Sequence, residues 1–157
     1  MKRLLPGIYL PLLACCLFFS CTTIDLFEKT VTIPGHEWQS SYRPSFSFTI
    51  KDTSSPYKIF LILRHNEKYH FNNIYVNLYI KAPGQDSAVK IQRDLLLATP
   101  ETGWLGSGMD DIYEHRIELA ARERLKAGEY TFTLEQIMRE DPLANVLNAG
   151  LRLEKEN

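Results

Sequence analysis

The chain has 157 residues, with 18 Lys and Arg against 19 Asp and Glu and a formal net charge of −1. That balance, with no Lys/Arg-rich run in the body, speaks against a nucleic-acid partner, which needs a basic face. All three cysteines (Cys15, Cys16, Cys21) lie near the start, so the rest of the chain has no intramolecular disulfide and must rely on its own core.

The start of the chain reads as an export signal. Lys2 and Arg3 supply the positive n-region, and residues 4–19 form an apolar run with no charge. This run is shorter than the roughly twenty residues a membrane-crossing helix needs, and it contains Pro6, Gly7 and Pro11. It meets Ser20-Cys21, a small residue directly before a cysteine, followed by Thr22 and Thr23. That is the pattern of a lipoprotein signal, in which diacylglycerol alkylates the thiol and cleavage frees the amine for a further acyl chain. Leu12-Leu13-Ala14-Cys15 is the alternative lipobox. It matches better by letter, but leaves a very short h-region and exposes residues 16–19 beside the anchor. The expected organisation is therefore a signal peptide over 1–20, a lipidated tether over 21–26 and one domain over 27–157. Removing Lys2 and Arg3 with the signal takes the net charge from −1 to −3.

Residues 27–33 predict a first strand, with Pro34-Gly35 as its turn. Beyond it the dominant period is two. Phe46, Phe48 and Ile50 alternate with Ser47, Thr49 and Lys51. The near-continuous apolar run from Tyr57 to Leu63 suits a central strand. Ile74, Val76, Leu78 and Ile80 alternate with Tyr75, Asn77 and Tyr79, and Val89 and Ile91 with Lys90 and Gln92. Three more alternating runs follow: Tyr113 to Leu119, Tyr130 to Leu134, and Ala149 to Leu153. About eight strands separated by turn signals predict a mainly β chain folded as an antiparallel sandwich, jelly-roll or immunoglobulin-like, with at most one short helix. Residues 116–127 (RIELAARERLKA) are the place for that helix, since Ala, Glu, Leu and Arg favour it.

The chemistry-bearing residues point away from catalysis. His36, His65, His70 and His115 show no tight ligand spacing, and no cysteine of the domain can join them. Structural or solvated histidines are expected, and no metal. Asp110-Asp111 after two glycines reads as a turn rather than a calcium loop. Glu37, Asp52, Glu101 and Glu140 fall in separate loops, and no serine sits in a nucleophile elbow. More informative is the row Tyr75, Asn77 and Tyr79 on the polar face of one strand, with Tyr69 and Phe71 before it. Tyrosines in a row can stack a sugar or meet a protein, unless a loop covers them.

Several residues together carry a family resemblance. They are Arg64-His65-Asn66, Tyr69, Asn73 and Tyr75, then Gly103-Trp104-Leu105-Gly106-x-Gly108 and Asp111-Ile112. The C-terminal half adds Gly128-x-Tyr130-x-Phe132, Gln136-x-Met138-Arg139-x-Asp141-x-Leu143, Val146 and Gly150-Leu151. In order and spacing this series resembles the gliding-motility lipoprotein GldH family of the Bacteroidota, from about Phe27 to Lys155. Ile74-Tyr75 after Asn73 is a departure, where Leu and a larger aromatic are expected. The resemblance implies a non-catalytic lipoprotein on a membrane, Cys21 as its lipid site, and partners among the motility and type IX secretion proteins. It implies no cofactor beyond the diacylglyceryl and N-acyl lipid on the cysteine, and leaves Trp104 and Arg139 without an assigned role. Members in non-gliding relatives mean that gliding itself does not follow. Tyr75, Asn77, Tyr79 and Trp104 are the expected interface, with a glycan as the alternative partner. The residues after Cys21 lack a run of acids, which leans towards the periplasmic face of the outer membrane.

Overall fold

In the computed structural model, residues 26–156 are described. They form β1 (Leu26–Thr32), a 3-10 turn (Pro34–His36), β2 (Glu37–Trp38), β3 (Ser45–Ile50), β4 (Tyr57–Asn66), β5 (Asn73–Lys81) and β6 (Val89–Leu96). Then follow β7 (Ala98–Thr99), β8 (Gly103–Trp104), β9 (Ser107–Met109), β10 (Ile112–Glu123), β11 (Gly128–Gln136), β12 (Leu143–Ala144) and β13 (Val146–Lys155). A five-stranded sheet runs β1-β13-β4-β10-β9 and a four-stranded sheet β3-β11-β5-β6, with two small ladders, β12-β2 and β7-β8. Every pairing is antiparallel. The protein is an antiparallel sandwich, and all eight expected strands are present.

Alternation drives this outcome, because successive side chains of a strand point to opposite faces. Ile59, Leu61 and Leu63 of β4 face Ile74, Val76 and Leu78 of β5 and Phe132 and Leu134 of β11, all buried in one core. The apolar run of β4 fits its place at the centre of the larger sheet, flanked by β13 and β10.

Residues 116–127 differ from expectation. They hold no helix: β10 continues to Glu123, pairing with β4 as far as Tyr57, with register shifts between Glu118 and Ala120 and between Ala120 and Glu123. Leu119 and Ala120 are both buried. A helix there would leave the β10-facing edge of β4 unpaired over its first residues, Tyr57 to Phe60, so tertiary pairing overrides a propensity worth only a few tenths of a kcal/mol per residue.

The register also orients the molecule. Leu26, where β1 starts, lies level with Glu154, Lys58 and the Glu123 end of β10. At this near end the loop 51–56 closes under the larger sheet, with Glu156 N donating to Pro56 O (2.9 Å) and Tyr57 Oη to Asp52 O (2.8 Å). Loop 67–72, the β9–β10 hairpin and residues 137–145 cluster at the opposite, far end.

Strand β6 is an open edge, and its sequence guards it. Arg93 pairs in register with the buried Val76, so it starts on the core side. Its guanidinium swings across the gap, Nε donating to Leu119 O of β10 (2.8 Å) and Nη1 to Gln92 O (2.9 Å). An inward charge on an edge strand opposes pairing with another chain. Arg93→Val is therefore expected to raise self-association, read as higher-order species by light scattering. An unchanged monodisperse profile would remove that role.

Candidate functional site

The outer faces of the two sheets differ in kind. On the larger sheet the charges satisfy one another: Arg152 donates to Glu28 (2.8 Å) and to Glu154 (2.5 Å), and Arg116 reaches Glu154 while lying over the Phe60 ring at 4.7 Å. Arg64 pairs with Glu114, and Lys58 with Glu156 at 3.3 Å. Such exposed pairs each contribute little stability, but they leave few charges free to bind. The smaller sheet shows hydroxyls, amides and rings instead, including the Ser45–Thr133 and Ser47–Thr131 hydroxyl pairs across β3 and β11.

The expected row lies on this second face, but its members are not equivalent. Tyr75 is open, with 39% of its surface exposed, whereas Asn77 is buried at 3%. Asn77 Nδ2 donates to Glu135 Oε2 (2.8 Å), as does Tyr79 Oη (2.6 Å), and Arg43 holds the other carboxylate oxygen at 2.5 Å. Burial pushes the Glu135 carboxyl up, but the Asn77 and Tyr79 hydrogen bonds and the Arg43 charge outweigh it and hold it low. Lys90 lies 6.0 Å from the Tyr79 ring. Tyr79 and Asn77 are thus committed to a local network, while Tyr75 is free. Asn77 Oδ1 is the one buried side-chain polar atom with no partner among the described residues.

Beside Tyr75 runs a groove of about 480 Å³, lined by Phe71, Asn73, Gln92, Met138 and Arg139. One side of it comes from residues 137–139, and the bonds around them explain the spacing seen in the sequence. Gln136, fully buried, donates through Nε2 to Trp38 O (3.1 Å) and accepts Met138 N at Oε1 (2.8 Å). Met138 turns back so that its Sδ accepts Tyr75 N (3.2 Å), while Ile137 N donates to Tyr75 O (3.0 Å). Asp141 accepts Ser40 N (2.8 Å) and Oγ (2.5 Å), contacts that hold its carboxyl low, and Leu143 enters the core. Arg139 alone in this series has no hydrogen bond or ion pair among the described residues.

Trp104 is elsewhere. It is half-buried at the far end, its ring 4.3 Å from His65, 5.6 Å from Tyr113 and 6.2 Å from Tyr69. Under it His65 and His115 are buried, with Nε2 to Nε2 at 2.9 Å. The Asn66 carbonyl can only accept, so His65 Nδ1 carries a proton towards it (2.8 Å). His65 Nε2 is then the acceptor and His115 Nε2 the donor. Burial, then the proximity of His65, push His115 down to about 4; burial likewise lowers His65, against the Asn66 bond. Both rings are therefore neutral near pH 7. Gly106 lets its loop lie on β10, since a Cβ there would collide with the Glu114 carbonyl and meet His115 Cε1 at 3.0 Å.

Two other features complete the far end. Asp110 and Asp111 form the β9–β10 turn, Asp110 at φ +56°, with Asp111 O accepting Glu67 N (2.8 Å). Around that turn Met109 and Ile112 are 77% and 37% exposed. Among the described residues no three His, Cys, Asp or Glu side chains are placed to hold a metal, and no helix is long and apolar enough to cross a membrane. Asp52, at the near end, pairs with Lys155. Cys21 and Cys15 lie outside the described residues.

Sequence reasoning singled out Tyr75 and missed Gln92 and Met138 as its neighbours, because the groove joins strands whose adjacency is a matter of topology. The available signal was the turn-like stretch after Gln136, ending at Pro142, immediately after an alternating strand.

Comparison with known proteins fits this picture. Two curated relatives match across nearly their whole length. Gliding motility lipoprotein GldH of Flavobacterium johnsoniae is 27% identical, covering 93% of this chain and 94% of its own. Gliding motility lipoprotein GldH homolog of Christiangramia forsetii is 26% identical, covering 90% of each. Among solved structures, a carbohydrate-binding module specific for non-crystalline cellulose, CBM28, aligns over 83% of this chain and 73% of its own, at 10% identity and a TM-score of 0.48. That likeness is too slight to carry a ligand across. The family model described as GldH lipoprotein matches residues 25–153, and the chain belongs to the GldH lipoprotein family.

Proposed function

We propose that the protein is a non-catalytic, lipid-anchored subunit or assembly factor of the gliding-motility and type IX secretion machinery, held on the periplasmic face of the outer membrane through Cys21. Family membership supports a membrane-anchored envelope protein in a motility context. Two or more acyl chains on one cysteine give stable attachment, where a single chain is marginal. With only four residues between Cys21 and Leu26, the domain stays close to the bilayer. That closeness raises its effective concentration towards other envelope proteins.

The observation that carries the reading is the placement of two exposed apolar residues, Met109 and Ile112. The backbone of Leu26, next to the anchor, is at the near end of the sandwich, whereas the exposed Met109 and Ile112 are at the far end, beside Asp110 and Asp111. Apolar side chains left open at the end turned away from the membrane, with an acidic rim, suit a protein partner carrying an apolar spot among basic groups.

The test is crosslinking and co-purification from membranes, comparing the native protein, Cys21→Ala and the double variant Met109→Asp, Ile112→Asp. Recovery of motility or secretion proteins should weaken on loss of the anchor and disappear in the double variant, whose exposed positions leave the fold intact by circular dichroism. Equal recovery from the folded double variant would refute docking through this end.

A further inference from the structure

The groove beside Tyr75 shares no lining residue with the pocket at Met109 and Ile112 and is not used by the reading above. We infer that it is a binding site for an acidic saccharide, with a sugar ring on Tyr75 and its carboxylate on Arg139.

The floor is the first argument. Strand β5 is paired on both sides, with β11 and with β6, so it offers no free backbone row to an extended peptide. Strand addition, the usual way a sheet takes a peptide, needs an open edge. Recognition on β5 must come from side chains standing on a strand paired on both sides.

Those side chains combine aromatic rings with planar amides. Tyr75 presents an open ring, with Phe71 as a second aromatic in the same wall. The backbone of Tyr75 is clamped on both atoms, N to Met138 Sδ and O to Ile137 N, so its position is fixed before any ligand arrives. Asn73 is oriented by donation from Nδ2 to Asp94 Oδ1 (2.7 Å), which leaves its carbonyl oxygen available. The Gln92 side chain has no partner among the described residues.

A pyranose ring has a C–H face that packs on an aromatic ring and a rim of hydroxyls that each donate and accept. Planar amides around an open tyrosine match that surface. Arg139 adds the sign: a guanidinium with no internal carboxylate pairs best with a planar carboxylate. A cavity of about 480 Å³ falls in the range of small-ligand sites, roughly 300–1,000 Å³.

The mature lipidated protein in detergent micelles would be titrated by calorimetry with trigalacturonic acid and, separately, with neutral cellotriose. The acid should bind in the millimolar range or tighter, more weakly as salt is added, and the neutral sugar less well. Tyr75→Ala should abolish binding of both. Arg139→Gln should weaken the acid ~10-fold and leave the neutral sugar unchanged. Both positions are exposed, and unchanged thermal midpoints confirm that the variants fold. Absence of heat from the acid, binding unaffected by Tyr75→Ala, or cellotriose binding as tight as the acid would each overturn the assignment.

Discussion

Gly150→Val is expected to destabilise the domain by about 3 kcal/mol or more, at or above the upper end of overpacking penalties. Thr30 of β1 pairs with Gly150 of β13. A Cβ at that position would collide with the Lys29 carbonyl and meet Thr30 Cα and Cγ2 at 2.6 Å. Two of these three atoms are backbone, so no side-chain rotation relieves the clash and β1 must leave the sheet. Phe27 would go with it, losing its 4.5 Å contact with Phe48. Denaturant unfolding of the native and variant proteins measures the effect, and proteolysis of membranes should release the variant domain first. A shift below about 1 kcal/mol, within the ordinary spread of point mutants, would mean that β1 accommodates the side chain.

The second large effect is acid sensitivity from the His65–His115 pair. The folded His115 is held near 4, against 6.5 for an unperturbed imidazole. Above 6.5 both folded and unfolded states are neutral there and stability is complete. As pH falls the unfolded state takes up the proton first, so stability declines between about 6.5 and 4, in total by about 3 kcal/mol for this one group. His65, lowered in the same direction, adds to the loss. Tyr69 does not titrate in this window, its hydroxyl being pushed up by burial and then by the charge of Glu140. Unfolding midpoints at pH 7, 6 and 5 should fall in order. A flat series over that range would show that the pair is hydrated or protonated in the folded state.

The strands were readable because burial of one face writes itself into alternate residues: Phe46-Phe48-Ile50 and Ile74-Val76-Leu78 each announce a strand and its inner side. Pairing is not written locally. His65 and His115 are fifty residues apart and meet only because the β4–β10 register sets His115 opposite Leu63, diagonal to His65. Two histidines on otherwise apolar faces were the only trace. Alternation likewise places Asn77 outward without saying that Glu135 and its neighbours close over it. Short pairings such as β8 and β12 are too brief for any period to show. Of the candidate site, Tyr75 was legible as an outward ring. Arg139 was visible as a motif residue, but its freedom depends on the bonding of every neighbour.

The place of β1 has a mechanical consequence. It is an edge strand, joined to the rest of its sheet through β13 alone, and its first residue is the one nearest the anchor. If the far end is gripped by a moving partner, tension from the bilayer enters at Leu26 and pulls along the strand axis. The seven register pairs from Leu26–Glu154 to Thr32–Asn148 then share the load in shear, rather than opening one after another like a zipper. A load applied along β1 at Leu26 therefore meets all seven pairs at once.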